Sequence, residues 1–244
     1  MTWIKICGMT NLEDALTAVD AGADAVGFVF YEKSPRNISV EAAREIVEKL
    51  PESVEKIGVF VNGAAVEPWK IVLEAGLTGW QTYMSATSGA QSGGNSGVDL
   101  SLLPKLTRFL LSLPMNFLGE SEEQIRGLAS SFAAWKKPPK GLAKPDGLLN
   151  TIVLDSGDRR MPGGTGIKFD WKKAAPIAEG MRQGGVKLVI AGGLTPENVS
   201  EAIAILQPWG VDVVSGVEAK PGKKDPEKVR AFVRAVREAD RKMS

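Results

Sequence analysis

Histidine is missing altogether from the 244 residues. That excludes a Ser-His-Asp triad, a histidine general base and any histidine metal ligand. Cysteine occurs once, at Cys7. No disulfide can therefore form within the chain, and a reducing, cytoplasmic setting is expected. An excess of either charge is missing too: 30 Lys and Arg stand against 29 Asp and Glu. So even a balance gives no reason to expect nucleic acid or an acidic membrane as partner. No apolar run approaches the roughly 20 residues of a membrane span, and no basic-then-apolar leader opens the chain. What is present is length enough to bury a large core.

Short apolar runs alternate with amphipathic stretches along the whole sequence. Strands are read at Trp3–Cys7, Ala25–Phe30, Lys56–Val61, Thr78–Tyr83, Leu113–Leu118, Thr151–Leu154, Leu188–Ala191 and Val211–Val214. Helices are read at Leu12–Ala21, Val40–Leu50, Ala65–Ala75, Leu100–Leu110, Ser121–Trp135, Phe169–Arg182, Pro196–Leu206 and Pro226–Arg241. Asn11, Ser39, Thr195 and Asp225 are placed as N-caps, Pro196 as a first helical residue and Gly22 as a stop. Pro114 sits badly in a central strand, since it cannot donate to a ladder. Two inserts break the rhythm, Ser/Gly-rich at 85–97 and Lys/Pro-rich at 136–144. The alternation predicts an α/β fold, a (βα)8 TIM barrel, formed as a single domain over 1–244.

In such a barrel the functional groups gather where strands end. The seventh and eighth strands close on Gly192-Gly193 and Ser215-Gly216. Small residues there let bare backbone amides approach an anion, and a following helix would add the positive end of its dipole. A phosphate cup is expected, made mainly by the backbone of Gly192, Gly193, Ser215 and Gly216. Strand six ends in Asp155 and strand one in Cys7, one on each side of that cup in circular order. Arg36 follows strand two, and a glycine loop at 162–166 follows strand six. That loop reads as a lid or as a plain linker, and its Gly164 and Gly166 are placed among the substrate contacts. Each group has a plain structural reading when taken singly: a packed thiol, a turn carboxylate, a surface arginine. Their joint placement at strand ends points to acid–base work on a phosphorylated small molecule. Strand parity adds that Lys5 shares a face with Cys7 and so points into the barrel. A buried ammonium needs a partner, and Asp212 on strand eight either pairs with it or reaches the ligand.

The pieces KICGMT (5–10), GADAVGFVFYEKSPRNIS (22–39), IGVFVN (57–62), LDS (154–156), PGGTGIKFDW (162–171), AGGLTPENV (191–199) and DVVSGVEAKPGKKD (212–225) occur in order along most of the chain. Together they resemble the phosphoribosylanthranilate isomerase family. The resemblance implies an Amadori rearrangement in tryptophan biosynthesis, with Cys7 as general base and Asp155 as general acid. It implies Arg36 as the carboxylate-binding arginine and Asp212 near the ligand. No cofactor or metal is expected, because the cationic intermediate is its own electron sink. A bell-shaped pH profile is expected, with the thiol on the acid limb and the carboxyl on the alkaline limb. That order needs the carboxyl to titrate above the thiol, or a reverse-protonated minority to do the work.

Two departures stand out. The family often reads QLHG at strand four, where this chain has Gln81-Thr82-Tyr83-Met84. Strand five carries Leu113-Pro114-Met115 where the family usually has a lysine. Two rivals share features of the pattern: a sugar isomerase of histidine biosynthesis, which uses an aspartate at the end of strand one, and a barrel that binds a phosphorylated metabolite without turnover.

Overall fold

The computed structural model describes residues 1–61, 68–83, 108–115, 123, 127, 130, 151–157 and 169–243. Strands β1 (Trp3–Cys7), β2 (Ala25–Phe30), β3 (Glu55–Phe60), β4 (Gly79–Tyr83), β5 (Arg108–Pro114), β6 (Thr151–Asp155), β7 (Lys187–Ile190) and β8 (Gly210–Val213) follow one another round a closed barrel. All neighbours are parallel, and β8 closes on β1 with Lys5 opposite Asp212. Helices α1 (Leu12–Ala21), α2 (Val40–Val47), α3 (Pro68–Glu74), α4 (Trp171–Gln183), α5 (Val199–Leu206) and α6 (Pro226–Met243) are the described helices between and after the strands. The expected (βα)8 barrel is the fold observed.

Local chemistry explains the boundaries. Asn11 accepts a hydrogen bond from the Asp14 amide and starts α1, while Gly22, at φ 97°, ends it in the left-handed region. Ser39 caps α2 by accepting from the Ala42 amide. Asp225 caps α6 by accepting from the amides of Glu227 and Lys228.

Three readings from sequence are corrected. Arg108–Leu110, assigned to a fourth helix, begins β5, which runs to Pro114 rather than Leu118. Pro114 is accommodated because it is the last ladder residue, opposite Asp155, where its missing N–H costs little. The seventh helix starts at Val199 rather than Pro196, since residues 196–198 form a turn. In that turn Asn198 accepts from the Thr195 amide and donates to the Gly193 carbonyl. The inserts at 85–97 and 136–144 lie outside the described residues.

The barrel interior is stratified. Trp3, Ala25, Ile57, Leu110, Val153 and Val189 form an apolar plug at the N-terminal end of the strands. Trp209 stacks on Trp3 with centroids 5.1 Å apart, and the Arg108 guanidinium lies over both rings while gripping Glu55 with two hydrogen bonds. Above the plug comes a polar chain. The Lys5 ammonium donates to Asp212 Oδ2 at 2.8 Å and to Gln81 Oε1 at 2.9 Å, and the Gln81 amide donates to Ser112 Oγ at 3.0 Å. Burial alone would push the Lys5 ammonium down; Asp212 and Cys7 beside it together outweigh this and leave it raised. The ammonium therefore stays charged in the core, and its hydrogen bonds, with the Gln81–Ser112 contact, brace β1, β4, β5 and β8 from within.

Candidate active site

At the C-terminal end of the strands a cavity opens with about 660 Å³ of empty space, its open mouth included. Cys7, Arg36, Asp155, Asp212, Gly192, Gly193, Ser215 and Gly216 all line it. The residues chosen from sequence thus converge on one site, with two exceptions. Gly164 and Gly166 lie outside the described residues.

The two turns expected to bind an anion both line the cavity, in a different frame from the one expected. Gly192 and Gly193 adopt φ of 84° and 64°, which turns their amides away from the β7 ladder. Among the described residues, no carbonyl or side chain accepts from the amides of Gly192, Gly193, Ser215 or Gly216. A side chain at Gly216 would collide with the Leu194 carbonyl, so the two turns are pressed together. Neither turn opens directly into an α-helix: β8 runs into a short 3-10 turn at Ser215–Val217, and α5 begins only at Val199. Any attraction these turns offer an anion would come from bare amides more than from a helix dipole.

On one side of the cup stands Cys7, at the end of β1 and only 4% exposed. Val59 and Tyr83 pack with it, with Val29, Val61 and Val214 around them. Its neighbour across the ladder is Gly27, where any side chain would run into the Cys7 Sγ and the Lys5 stem. Burial pushes the thiol above its ordinary value, and the Lys5 ammonium beside it offsets part of the rise. The thiolate is thus a minority species, favoured by the Lys5 and, more weakly, the Lys224 ammonium.

On the other side, Asp155 ends β6, 4% exposed. Its Oδ1 accepts from the Gly157 amide at 3.0 Å, and its Oδ2 accepts from the Tyr83 hydroxyl at 3.3 Å. Burial raises its pKa to about 6, against the opposing pull of the Gly157 hydrogen bond. A carboxyl titrating there is partly protonated near neutrality, as a general acid requires.

Of the two roles parity left open for Asp212, the structure shows the pairing with Lys5. Its Oδ2 is held by Lys5, while its Oδ1 is buried with no hydrogen-bond partner among the described residues, and the residue lines the cavity.

Arg36 is not the surface charge of its plain reading. Its Nε and Nη2 donate to Glu218 Oε1 and Oε2 at 2.9 and 2.8 Å. That contact occupies one edge of the guanidinium fork and leaves the Nη1/Nη2 edge geometrically suited to a second carboxylate. Lys224, fully buried, backs Glu218 from behind at 3.1 Å. The two cations hold the Glu218 carboxyl low despite its burial.

Sequence reasoning missed Tyr83, Glu218, Lys224 and Asn198. Only Tyr83 carried a signal, as the residue standing where the resembled family usually has histidine.

A family model described as N-(5'phosphoribosyl)anthranilate (PRA) isomerase matches residues 4–81 and 135–235. The chain belongs to this family. The isomerase of Geobacter sp. strain M21 is 40% identical over 233 residues, covering 96% of this chain and 97% of that one. The isomerase of Thermotoga neapolitana is 38% identical over 234 residues, covering 96% and 98%. The crystal structure of phosphoribosyl anthranilate isomerase from Thermotoga maritima superposes with a TM-score of 0.71 at 33% identity, covering 98% of this chain and all of that one. A second structure of such an isomerase, in complex with reduced 1-(o-carboxyphenylamino)-1-deoxyribulose 5-phosphate, gives 0.69 at 32% identity, with coverage of 98% and 100%. Membership of this family sets aside the histidine-pathway isomerase and the non-enzymatic barrel.

Proposed function

We propose that the chain converts N-(5-phosphoribosyl)anthranilate to 1-(2-carboxyphenylamino)-1-deoxyribulose 5-phosphate, with Asp155 as general acid and Cys7 as general base. The observation that carries this reading is the cavity itself. A buried carboxyl and a buried thiol face it from either side of four amides with no acceptor among the described residues, in a chain of the isomerase family.

Asp155 delivers its proton to the ribose ring oxygen as the C1–O bond breaks, and the anthranilate nitrogen lone pair forms the iminium. The Cys7 thiolate then takes the C2 proton. The C2–H electrons form the C1–C2 double bond while the iminium electrons return to nitrogen, giving an enolamine. Transfer of the enol proton to C1 yields the ketone. The phosphate in its amide cup supplies binding energy remote from the reacting carbons and holds them between acid and base. The unpartnered Asp212 Oδ1 is an acceptor suited to a sugar hydroxyl. Direct turnover, followed as loss of phosphoribosylanthranilate fluorescence, tests the reading; a folded protein without turnover would overturn it.

The cup yields one expected result. Gly193→Ala raises KM for the phosphorylated substrate, because the residue sits at φ 64° and a Cβ both strains that turn and swings its amide off the anion. A folded variant with unchanged KM would rule out the amide cup. Arg36 yields another. Arg36→Ala weakens binding of anthranilate-bearing ligands by roughly tenfold or more, the loss of a charge-assisted contact, while ribose 5-phosphate affinity changes little. Equal losses for both ligands would mean that Arg36 reads no carboxylate and serves only Glu218.

A further inference from the structure

The two oxygens of Asp155 are held by different elements. Gly157, just beyond β6, donates its amide to Oδ1; Tyr83, the last residue of β4, donates its hydroxyl to Oδ2. Rotation of a carboxyl about its last bond is a soft, sp³–sp² torsion, and one hydrogen bond leaves it free to swing. A second bond, to the other oxygen and from across the barrel, fixes the plane. Tyr83 is itself fixed: it is buried and packs with Cys7 and Val59. Its phenol keeps its proton, since burial beside Asp155 pushes it well above its ordinary value. It is a permanent donor to Asp155 through the working range.

We propose that Tyr83 is a positioning residue of the reaction: its hydroxyl sets the plane of the Asp155 carboxyl, so that the acid proton points at the substrate oxygen in the cavity. The proposal deepens the isomerase reading and rests on Asp155 being its acid. The phenol touches Asp155 and lines the cavity without taking or giving a proton. The titratable groups facing the Asp155–Tyr83 contact among the described residues are Asp212 on β8 and Lys5 and Cys7 on β1. Asp212 opposes ionisation of Asp155 and Lys5 favours it. Neither bonds to Asp155, so neither can replace the lost donor.

The test begins with a measurement that needs no turnover. The Asp155 carboxyl is titrated by carbonyl infrared absorption of the whole protein, with Asp155→Asn identifying its band. Tyr83→Phe keeps the ring and removes the donor that favours the carboxylate. The carboxyl pKa is then expected to rise by about 0.5 or more. The acid limb of kcat/KM is expected to rise with it, and kcat to fall roughly tenfold with KM little changed. In the Asp155→Asn background, Tyr83→Phe should cost nothing further, because the residue acts through Asp155. Incorporating 3-fluorotyrosine at position 83, nearly isosteric and a stronger donor, should move the carboxyl pKa the other way. This keeps the test alive even if the phenylalanine variant folds poorly.

An unmoved carboxyl titration in both variants would overturn the proposal. So would a raised KM with unchanged kcat, which would make Tyr83 a substrate contact, or additive losses in the double variant. If the wild-type protein failed to turn over phosphoribosylanthranilate, the isomerase reading would fall, while the infrared titration would still decide whether Tyr83 governs Asp155.

Discussion

Cys7→Ser is expected to lower kcat by roughly 10²-fold or more while changing KM far less. Serine fills nearly the same space, so the apolar collar of Val59 and Tyr83 is kept. A hydroxyl is a far poorer proton acceptor than a thiol, because its conjugate base lies well beyond the reach of a neighbouring ammonium. The site already works against ionisation at this position, with burial pushing the thiol up and the Lys5 and Lys224 ammonium groups pulling it only part of the way back. The thiolate is thus a small fraction at neutral pH, and a weaker acid there leaves essentially none. A loss expressed in KM instead would place Cys7 in ground-state packing.

Asp155→Asn carries the second large effect, again about 10²-fold or more in kcat, since the amide keeps hydrogen bonding and loses the acid proton. The pH profile makes the prediction sharper. The acid and base must be present as protonated Asp155 with Cys7 thiolate. Asp155 titrates at about 6, and the thiol lies above its ordinary value. Between those two values the dominant form is carboxylate with thiol, and the working form is its minority tautomer with the same proton count. The acid limb of kcat/KM therefore reports Asp155, near pH 6, and the alkaline limb reports Cys7. This reverses the assignment that sequence suggested, because the rise at Asp155 is matched by a rise at Cys7 and their order is unchanged. In Asp155→Asn the limb near pH 6 is expected to vanish from whatever rate remains. Its persistence would assign that limb to another group.

Much of this was legible in the sequence where local chemistry decides structure. The caps at Asn11, Ser39 and Asp225 and the stop at Gly22 mark helix ends through their own side chains or backbone. The near-continuous apolar run Ala25–Phe30 has the composition of a strand covered on both faces, and its six-residue length and β-branched and aromatic content favour a strand over a helix. Strand β5 was misread because Leu100–Leu110 carries an apolar pattern compatible with a helix, and short apolar runs do not separate the two by period alone. The inward alternation of Leu110 and Ser112 becomes meaningful only once Gln81 is seen reaching for the serine.

The site divides along the same line. Strand-end placement and parity located Cys7, Asp155 and the two turns, and parity put Lys5 inside the barrel. The partners that tune them come from distant elements. Glu218 meets Arg36 across 182 positions of sequence, and Tyr83 meets Asp155 across 72. No local pattern reports such pairings, which follow from barrel closure and side-chain reach.

The most direct test of the account is hydrogen exchange at the sugar C2. In deuterated solvent, wild-type protein should exchange the C2 proton of bound substrate with solvent during turnover, and Cys7→Ser should do so at least 10²-fold more slowly. Asp155→Asn, assayed on an intermediate analogue already open at the ring, should retain most of the exchange, because the thiolate still works once the acid step is bypassed. A Cys7→Ser protein that exchanges the proton at the wild-type rate would contradict the account and place the base elsewhere.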